Sequence, residues 1–104
     1  MDNRLILTAE LVKPPQIRYS PAGIPIARLW MEHRSEQPEG DRRRGIRFRI
    51  EARATGTELC RQLDGLPAGQ ALRVTGYLAR PDRRGDPHRL VVVAERLEPI
   101  TSTN

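Results

Sequence analysis

Apolar and polar residues alternate along several short stretches of the chain, most clearly in RRRGIRFRIEAR, residues 42–53. From residue 46 onward every second residue is apolar, and the residues between them are nearly all arginine. A period of two predicts a strand with one side in a core and the other in solvent. The arginines on the solvent side either keep the protein soluble or form a surface that holds something negative.

The same pattern predicts five strands, over residues 5–12, 26–34, 42–53, 70–80 and 89–100. Gly76 lies inside the fourth of these strands, where a glycine indicates a bulge or a bend. Residues 14–25 are rich in proline and are predicted to form a loop. Three other segments are predicted to be irregular: a long polar hairpin loop, a loop before the fifth strand and a flexible tail, at residues 35–45, 81–88 and 100–104.

One helix is predicted, within TGTELCRQLDGLPAG, residues 55–69. Thr57 is placed to cap its start, and Gly65 is placed to end it. Leu59 and Leu63 fall on one face, with Cys60 beside them. The order is therefore three strands, one short helix and two strands.

This order predicts an all-β fold, a five-stranded OB-fold barrel with one short helix between strands 3 and 4. The length of 104 residues fits one domain, residues 1–104. Small β-sandwiches and SH3-like barrels are the alternatives, but they do not naturally place a helix between the third and fourth strands. An OB barrel binds its ligands along strands two and three and with the loops that follow strands one and four.

Charge narrows the classes of partner. The formal net charge is +5, and the basic residues are seventeen arginines and Lys13. Such an excess points to nucleic acid or to an anionic membrane surface, although solubility or the coding bias of a genome also produces it. No apolar run is long enough to cross a membrane, and the N-terminus lacks the features of a signal peptide. With Cys60 as the only cysteine, we expect a reduced, cytoplasmic compartment.

The candidate chemistry does not favour an enzyme. His33 and His88 lie in different segments, and no metal-ligand spacing, phosphate loop or nucleophile motif is present. His33 shares the parity of the apolar residues of its strand and is expected to be a satisfied histidine at the edge of the core. Cys60 is expected to be a small core residue. We therefore expect no catalysis, no cofactor and no metal.

Basic residues instead gather on the elements that line the groove of an OB barrel. Each arginine alone is usually a solvated surface residue, but their coincidence on one predicted groove favours electrostatic, sequence-tolerant binding of single strands. The candidate DNA-binding residues are Lys13, Arg18, Trp30, Arg34, Arg42, Arg44, Arg47, Arg49, Arg83, Arg84, His88 and Arg89.

Trp30 is the candidate for base stacking, because it shares the outward face of its strand with arginines. A hairpin centred near residues 39–40 would place it roughly across from Arg49. The alternative for Trp30 is packing in a subunit interface or under a loop. Phe48 is in phase with the core positions of its strand.

The segments NRLILTAEL, SPAGIPIARLWMEHRSEQ and LRVTGYLAR…HRLVVVAERLE resemble the primosomal replication protein N family, usually called PriB. The resemblance covers nearly the whole chain, and SPAGIP followed by EHRS is its most specific part. It implies an OB fold shared with bacterial single-stranded DNA-binding protein. It also implies a non-catalytic homodimer that binds single-stranded DNA and works with the helicase PriA to restart stalled forks. DnaT, in some bacteria, and single-stranded DNA-binding protein are further implied partners.

Carried over residue by residue, the resemblance implies DNA contacts at Lys13, Arg18 and Arg34. Arg84 and Arg89 match lysines of the family. Asp82, in contrast, stands where the family has a basic residue.

The best-known members of the family carry aromatic side chains at the positions occupied here by Arg42 and Arg47. Guanidinium groups, which can pair with phosphate and stack on bases, therefore replace two stacking rings. This replacement favours a second hypothesis, a mainly protein-binding adaptor of the primosome with weak DNA binding. A general coating protein of single-stranded DNA and an RNA-binding OB domain are more distant alternatives.

Overall fold

The computed structural model describes residues 1–101, and within them the chain forms six strands and one helix. The elements are β1 (Leu5–Leu11), β2 (Gln16–Tyr19), β3 (Pro25–Glu39), β4 (Arg42–Thr55), α1 (Thr57–Leu63), β5 (Ala71–Ala79) and β6 (Val91–Ile100).

Five of the strands close into a barrel, and β2 lies outside it as an edge strand on β3. The strand order is β1-β5-β6-β4-β3-β2, with a further pairing of β1 to β3 that closes the barrel. That closing contact is short, because only Glu10 with Glu32 and Leu11 with Met31 are in register. The helix α1 lies between the third and fourth barrel strands. The predicted all-β OB barrel is therefore confirmed.

The core fills the barrel with the inward residues of the alternating strands. Leu29 and Met31 of β3 are fully buried, as is Ala52 of β4. On α1, Cys60 and Leu63 are buried against the same core. Burial raises the pKa of the Cys60 thiol, so this side chain stays protonated and packs as a small apolar group.

The predicted bulge at Gly76 is confirmed by a shift of register in the β5–β6 pair between Thr75 and Gly76. A Cβ atom built at Gly76 would overlap the backbone carbonyl of Val93. The two strands approach too closely there for any side chain, so glycine is required by space and not by its backbone angles.

The prediction of a long hairpin loop over residues 35–45 was wrong. β3 runs to Glu39 and β4 starts at Arg42, so only Gly40 and Asp41 form the turn. Gly40 has a φ of +64°, which a two-residue hairpin turn favours. We call residues 35–45 the outer hairpin. Its residues are polar on both sides because neither side covers the core. Backbone pairing holds the two strands together there, so no alternation of apolar residues is needed.

Two other features differ from the prediction. The proline-rich loop contains the short strand β2, and prolines flank this strand without interrupting it. Gly56 is the N-cap of α1 in place of Thr57, and its φ of +110° is one that glycine adopts readily. β6 ends at Ile100, where the fifth strand was predicted to end, and residues 102–104 of the predicted tail lie outside the described residues.

Candidate nucleic-acid interface

The outward side of the β3–β4 hairpin forms the candidate interface. Opposite residues of an antiparallel pair point to the same side of the sheet, so the register groups these side chains into one surface. We call this surface the arginine face; it consists of Arg28, Trp30, Glu32, Arg34, Arg47, Arg49, Glu51 and Arg53.

The predicted register of the hairpin, with Trp30 roughly across from Arg49, differs from the observed one by two residues along β4. Trp30 lies opposite Glu51, and Arg49 lies opposite Glu32. The turn is centred on residues 40–41, one position later than predicted, because the outer hairpin pairs up to Glu39 and Arg42. The consequence is that carboxylates, and not only arginines, lie in the middle of the arginine face.

Three arginines converge on Glu32. Arg34 donates to Glu32 Oε2 from Nη2 at 2.7 Å and from Nε at 3.2 Å. Arg47 Nη2 and Arg49 Nε donate to Oε1 at 3.3 and 3.2 Å. The hydrogen bonds from Arg34 and Arg49 lower the pKa of Glu32 to about 2, so the carboxylate is ionised at any ordinary pH.

The second carboxylate, Glu51, binds Arg28 through two hydrogen bonds of 2.8 and 3.2 Å. Arg53 Nε donates to it at 2.7 Å. Burial opposes the ionisation of Glu51, but the hydrogen bonds from Arg28 and Arg53 outweigh it and keep the pKa of this carboxyl below its usual value. Arg89 Nη2 lies 3.6 Å from Glu51 Oε1.

Two contacts join the β5–β6 loop, residues 80–90, to the arginine face. Besides the Arg89–Glu51 contact, Arg53 Nη1 donates to the carbonyl of Pro81 at 3.3 Å. Arg83, Arg84 and His88 are exposed further out on the loop. The structure therefore brings Arg89 to the face and leaves the other three loop residues on the solvent side.

Trp30 is half-buried, and cations lie on its ring. Lys13 Nζ is 4.0 Å from the ring centroid, and the guanidinium carbon of Arg28 is 5.1 Å from it. Both distances fit cation–π contacts. A groove of about 380 Å³ runs beside the ring, between Lys13 and Arg49. The structure thus brings Lys13, Trp30 and Arg49 together around this groove.

Arg18 extends the arginine face at its other end. It lies on β2 opposite Ile26, on the same side of the sheet as Arg28. Its side chain is exposed. Six of the candidate residues, together with Arg89, therefore share or border one face: Lys13, Arg18, Trp30, Arg34, Arg47 and Arg49.

Arg42 and Arg44 lie on the opposite side of the hairpin. They pair with Glu39 and Gln37, and Arg44 Nη1 bonds Glu39 Oε1 at 3.1 Å. The structure does not bring these two arginines together with Arg47, because residues separated by an odd number along a strand point to opposite sides.

Phe48 lies on that same opposite side. It has the parity of the core residues, but it is 39% exposed because the hairpin extends past the barrel at this point. Its ring packs on His33, with the ring centroids 4.9 Å apart. His33 Nδ1 donates to the carbonyl of Thr8 at 2.7 Å, and Nε2 accepts from the Ser35 hydroxyl at 2.8 Å. The predicted satisfied histidine is thus confirmed, whereas Phe48 is not a core residue.

Sequence reasoning missed the role of the two carboxylates. Glu32 and Glu51 have the parity of the outward arginines, which is visible in the sequence, but only the correct register places each between its arginines. Within residues 1–101 no helix is long and apolar enough to cross a membrane. Over the same residues no group of three or more His, Cys, Asp or Glu side chains could hold a metal ion.

The barrel and its basic face define a protein of the single-strand-binding class. Residues 3–95 match a family described as "another single-strand binding protein family". The chain belongs to the family of the replication restart protein PriB. It is 35% identical to the replication restart protein PriB of Photorhabdus laumondii over 100 residues, which cover 96% of this chain and 95% of that protein. The corresponding protein of Proteus mirabilis is 34% identical, with the same coverage.

Two solved structures of related proteins have a similar fold. The chain is similar to PriB from Ralstonia solanacearum, with a TM-score of 0.80, 33% identity and coverage of 95% of this chain and 98% of that one. It is also similar to the single-stranded DNA binding protein from Thermus aquaticus, with a TM-score of 0.78 and 25% identity. That match covers 96% of this chain and 50% of that one. The family predicted from the sequence is therefore confirmed.

Proposed function

We propose that this chain is a non-catalytic accessory protein of the replication restart primosome that binds single-stranded DNA and stimulates or loads the PriA helicase. The observation that carries the proposal is one continuous basic face on the strands of an OB barrel that bind single strands in this fold class. The family of the chain supports the same function.

Binding is expected to be mainly electrostatic. The side chains of Arg34, Arg47 and Arg49 are each 67% exposed, so they can reach phosphates without reorganising the sheet. Trp30 offers a ring for base stacking once a ligand competes with Lys13. Because phosphates and stacked bases carry little sequence information, the protein should tolerate most sequences.

We also propose that the chain works in the cytoplasm as a homodimer. The homodimer and its location are proposed on the strength of the family alone. DnaT and single-stranded DNA-binding protein are further proposed partners, on the strength of the family alone.

A second candidate function is a mainly protein-binding adaptor of the primosome. It is favoured by the pairing of arginines with Glu32 and Glu51, which lowers the net charge of the face. In that case the exposed arginines contact acidic patches on a helicase.

A salt-dependent titration separates the two functions. Fluorescent single- and double-stranded oligonucleotides are titrated with the protein between 50 and 300 mM salt, concentrations of roughly the range in which phosphate contacts are lost. The same titration is repeated with the cognate helicase. Preferential binding of the single strand supports the proposal, whereas tight helicase binding with negligible DNA binding supports the adaptor.

A further inference from the structure

The arrangement around Glu32 is that of an anion site with its anion in place. Four N–H groups from three guanidiniums surround one carboxylate. Two of them, from Arg34, bond Oε2, and one each from Arg47 and Arg49 bond Oε1. All four distances are between 2.7 and 3.3 Å.

The exposed fractions of the four side chains support this description. The Glu32 side chain is 15% exposed, whereas each of its three arginine partners is 67% exposed. The carboxylate therefore lies at the bottom of a cup, and the guanidiniums form its open rim. A ligand that arrives from solvent meets the arginines first.

A phosphodiester resembles a carboxylate in the respects that matter here. Each carries one negative charge over two oxygen atoms that accept hydrogen bonds, and guanidinium groups bind both with the same forked geometry. Because Glu32 belongs to β3, its carboxylate is always beside these arginines. A phosphate of a bound strand has to compete with it for the same N–H groups.

We propose that Arg34, Arg47 and Arg49 form a phosphodiester-binding site that Glu32 occupies as an internal substitute ligand, so that Glu32 sets the affinity of this face for polyanions. The inference rests on the proposed function for the identity of the natural ligand. It does not rest on that function for the anion site itself.

The chain offers a matched control for this inference. Glu36 lies on the same strand and has the same parity as Glu32, opposite Gly45. Within residues 1–101 its carboxylate makes no ion pair and no hydrogen bond, and the side-chain bond that Glu36 receives goes from Arg43 to its backbone carbonyl at 3.5 Å. Glu36→Gln thus removes the same charge from the same strand without opening an arginine cup.

The test compares the full chain with its Glu32→Gln and Glu36→Gln variants. Each is titrated with tripolyphosphate by calorimetry and with a labelled oligothymidylate by anisotropy, after thermal unfolding has shown that it is folded. We expect Glu32→Gln to bind both ligands about tenfold more tightly at about 100 mM salt, the effect of one additional charge-assisted contact. Its salt slope on the oligonucleotide should grow by about 0.7, the value of one phosphate on a single strand. Glu36→Gln should change either affinity less than about twofold.

The outcomes separate the two proposals. Equal gains for Glu32→Gln and Glu36→Gln, or no gain of Glu32→Gln for tripolyphosphate, overturn the substitute-ligand inference. A gain for tripolyphosphate with no oligonucleotide binding by any of the three proteins supports the anion site and overturns the proposed function. If Glu32→Gln is unfolded, Glu32→Thr repeats the test with a residue that strands favour.

Discussion

Glu32 and Glu51 lie on the same face of one hairpin, each among arginines, yet their surroundings differ. Glu51 is 9% exposed, and its partners Arg28 and Arg53 are 37% and 32% exposed. The partners of Glu32 are twice as exposed, at 67%. The Glu51 cluster also contacts the β5–β6 loop, whereas the Glu32 cluster faces solvent. The same pair of residue types is thus partly buried in one place and leaves exposed guanidiniums in the other.

Substituting both Arg47 and Arg49 with alanine should have the largest effect on binding. Under the proposed function each substitution removes one phosphate contact made by an exposed guanidinium, so the affinity for a single-stranded oligonucleotide should fall by about 10- to 100-fold. The salt slope should decrease by about one to two. Anisotropy titrations at several salt concentrations measure both quantities.

The control for that variant is the substitution of Arg61 and Arg73 with alanine. These arginines pair with Glu58 and Glu98 on other surfaces of the barrel. The control removes the same net charge but leaves the arginine face unchanged. It should therefore retain most of the affinity and the salt slope. An equal loss in both double variants would show that net charge, and not the arginine face, governs binding.

Glu51→Gln should have the largest effect on stability among the carboxylate variants. It leaves Arg28 and Arg53 partly buried without their anion, and we expect the free energy of unfolding to fall by about 1–2 kcal/mol. Urea unfolding at neutral pH measures the change. The free energy of unfolding should fall clearly less for Glu32→Gln, because solvent surrounds the arginines that pair with Glu32. A larger loss for Glu32→Gln would reverse the distinction between the two clusters.

Acid should act on both clusters in the same direction. The folded-state pKa of Glu32, about 2, and that of Glu51 lie below the usual carboxyl value, so the unfolded chain binds more protons. The contribution of these two carboxylates to stability is therefore complete above pH about 4.5, and it is lost as the pH decreases toward the folded pKa values. Urea unfolding at several pH values should give a shallower acid decline for Glu32→Gln than for the unchanged chain. An identical decline would contradict the ionised Glu32 cluster.

Lys13→Ala should have the smallest effect. It removes one cation from the Trp30 ring, a contact of about 0.5–1 kcal/mol at an exposed site. Under the proposed function it also removes one phosphate contact. We expect a two- to tenfold loss of oligonucleotide affinity. Trp30 fluorescence should be quenched by single-stranded oligomers in both proteins. Binding without quenching would mean that the base does not reach the ring.

The alternation of residues was sufficient to predict the barrel strands, the position of the helix and the outward parity of the arginines. It was not sufficient for the register of the β3–β4 hairpin, because the outer hairpin is polar on both sides and carries no signal for where the turn lies. The exposure of Phe48 was missed for the same reason: parity shows the side of a strand, but not whether the core extends that far. The clusters of Glu32 and Glu51 depend on that register and could not be found without it.

The short contact that closes the barrel has a consequence for its motions. β1 meets β3 through two residue pairs, and a backbone bond from the Val12 N–H to the Trp30 carbonyl at 2.8 Å follows them. Such a short seam is where local opening costs least, so the Val12 amide should exchange its hydrogen earlier than amides between β3 and β4. Lys13 and Trp30 lie on the two sides of this seam. A strand bound across both residues would hold the barrel closed, and ligand binding would then be visible as slower exchange at Val12.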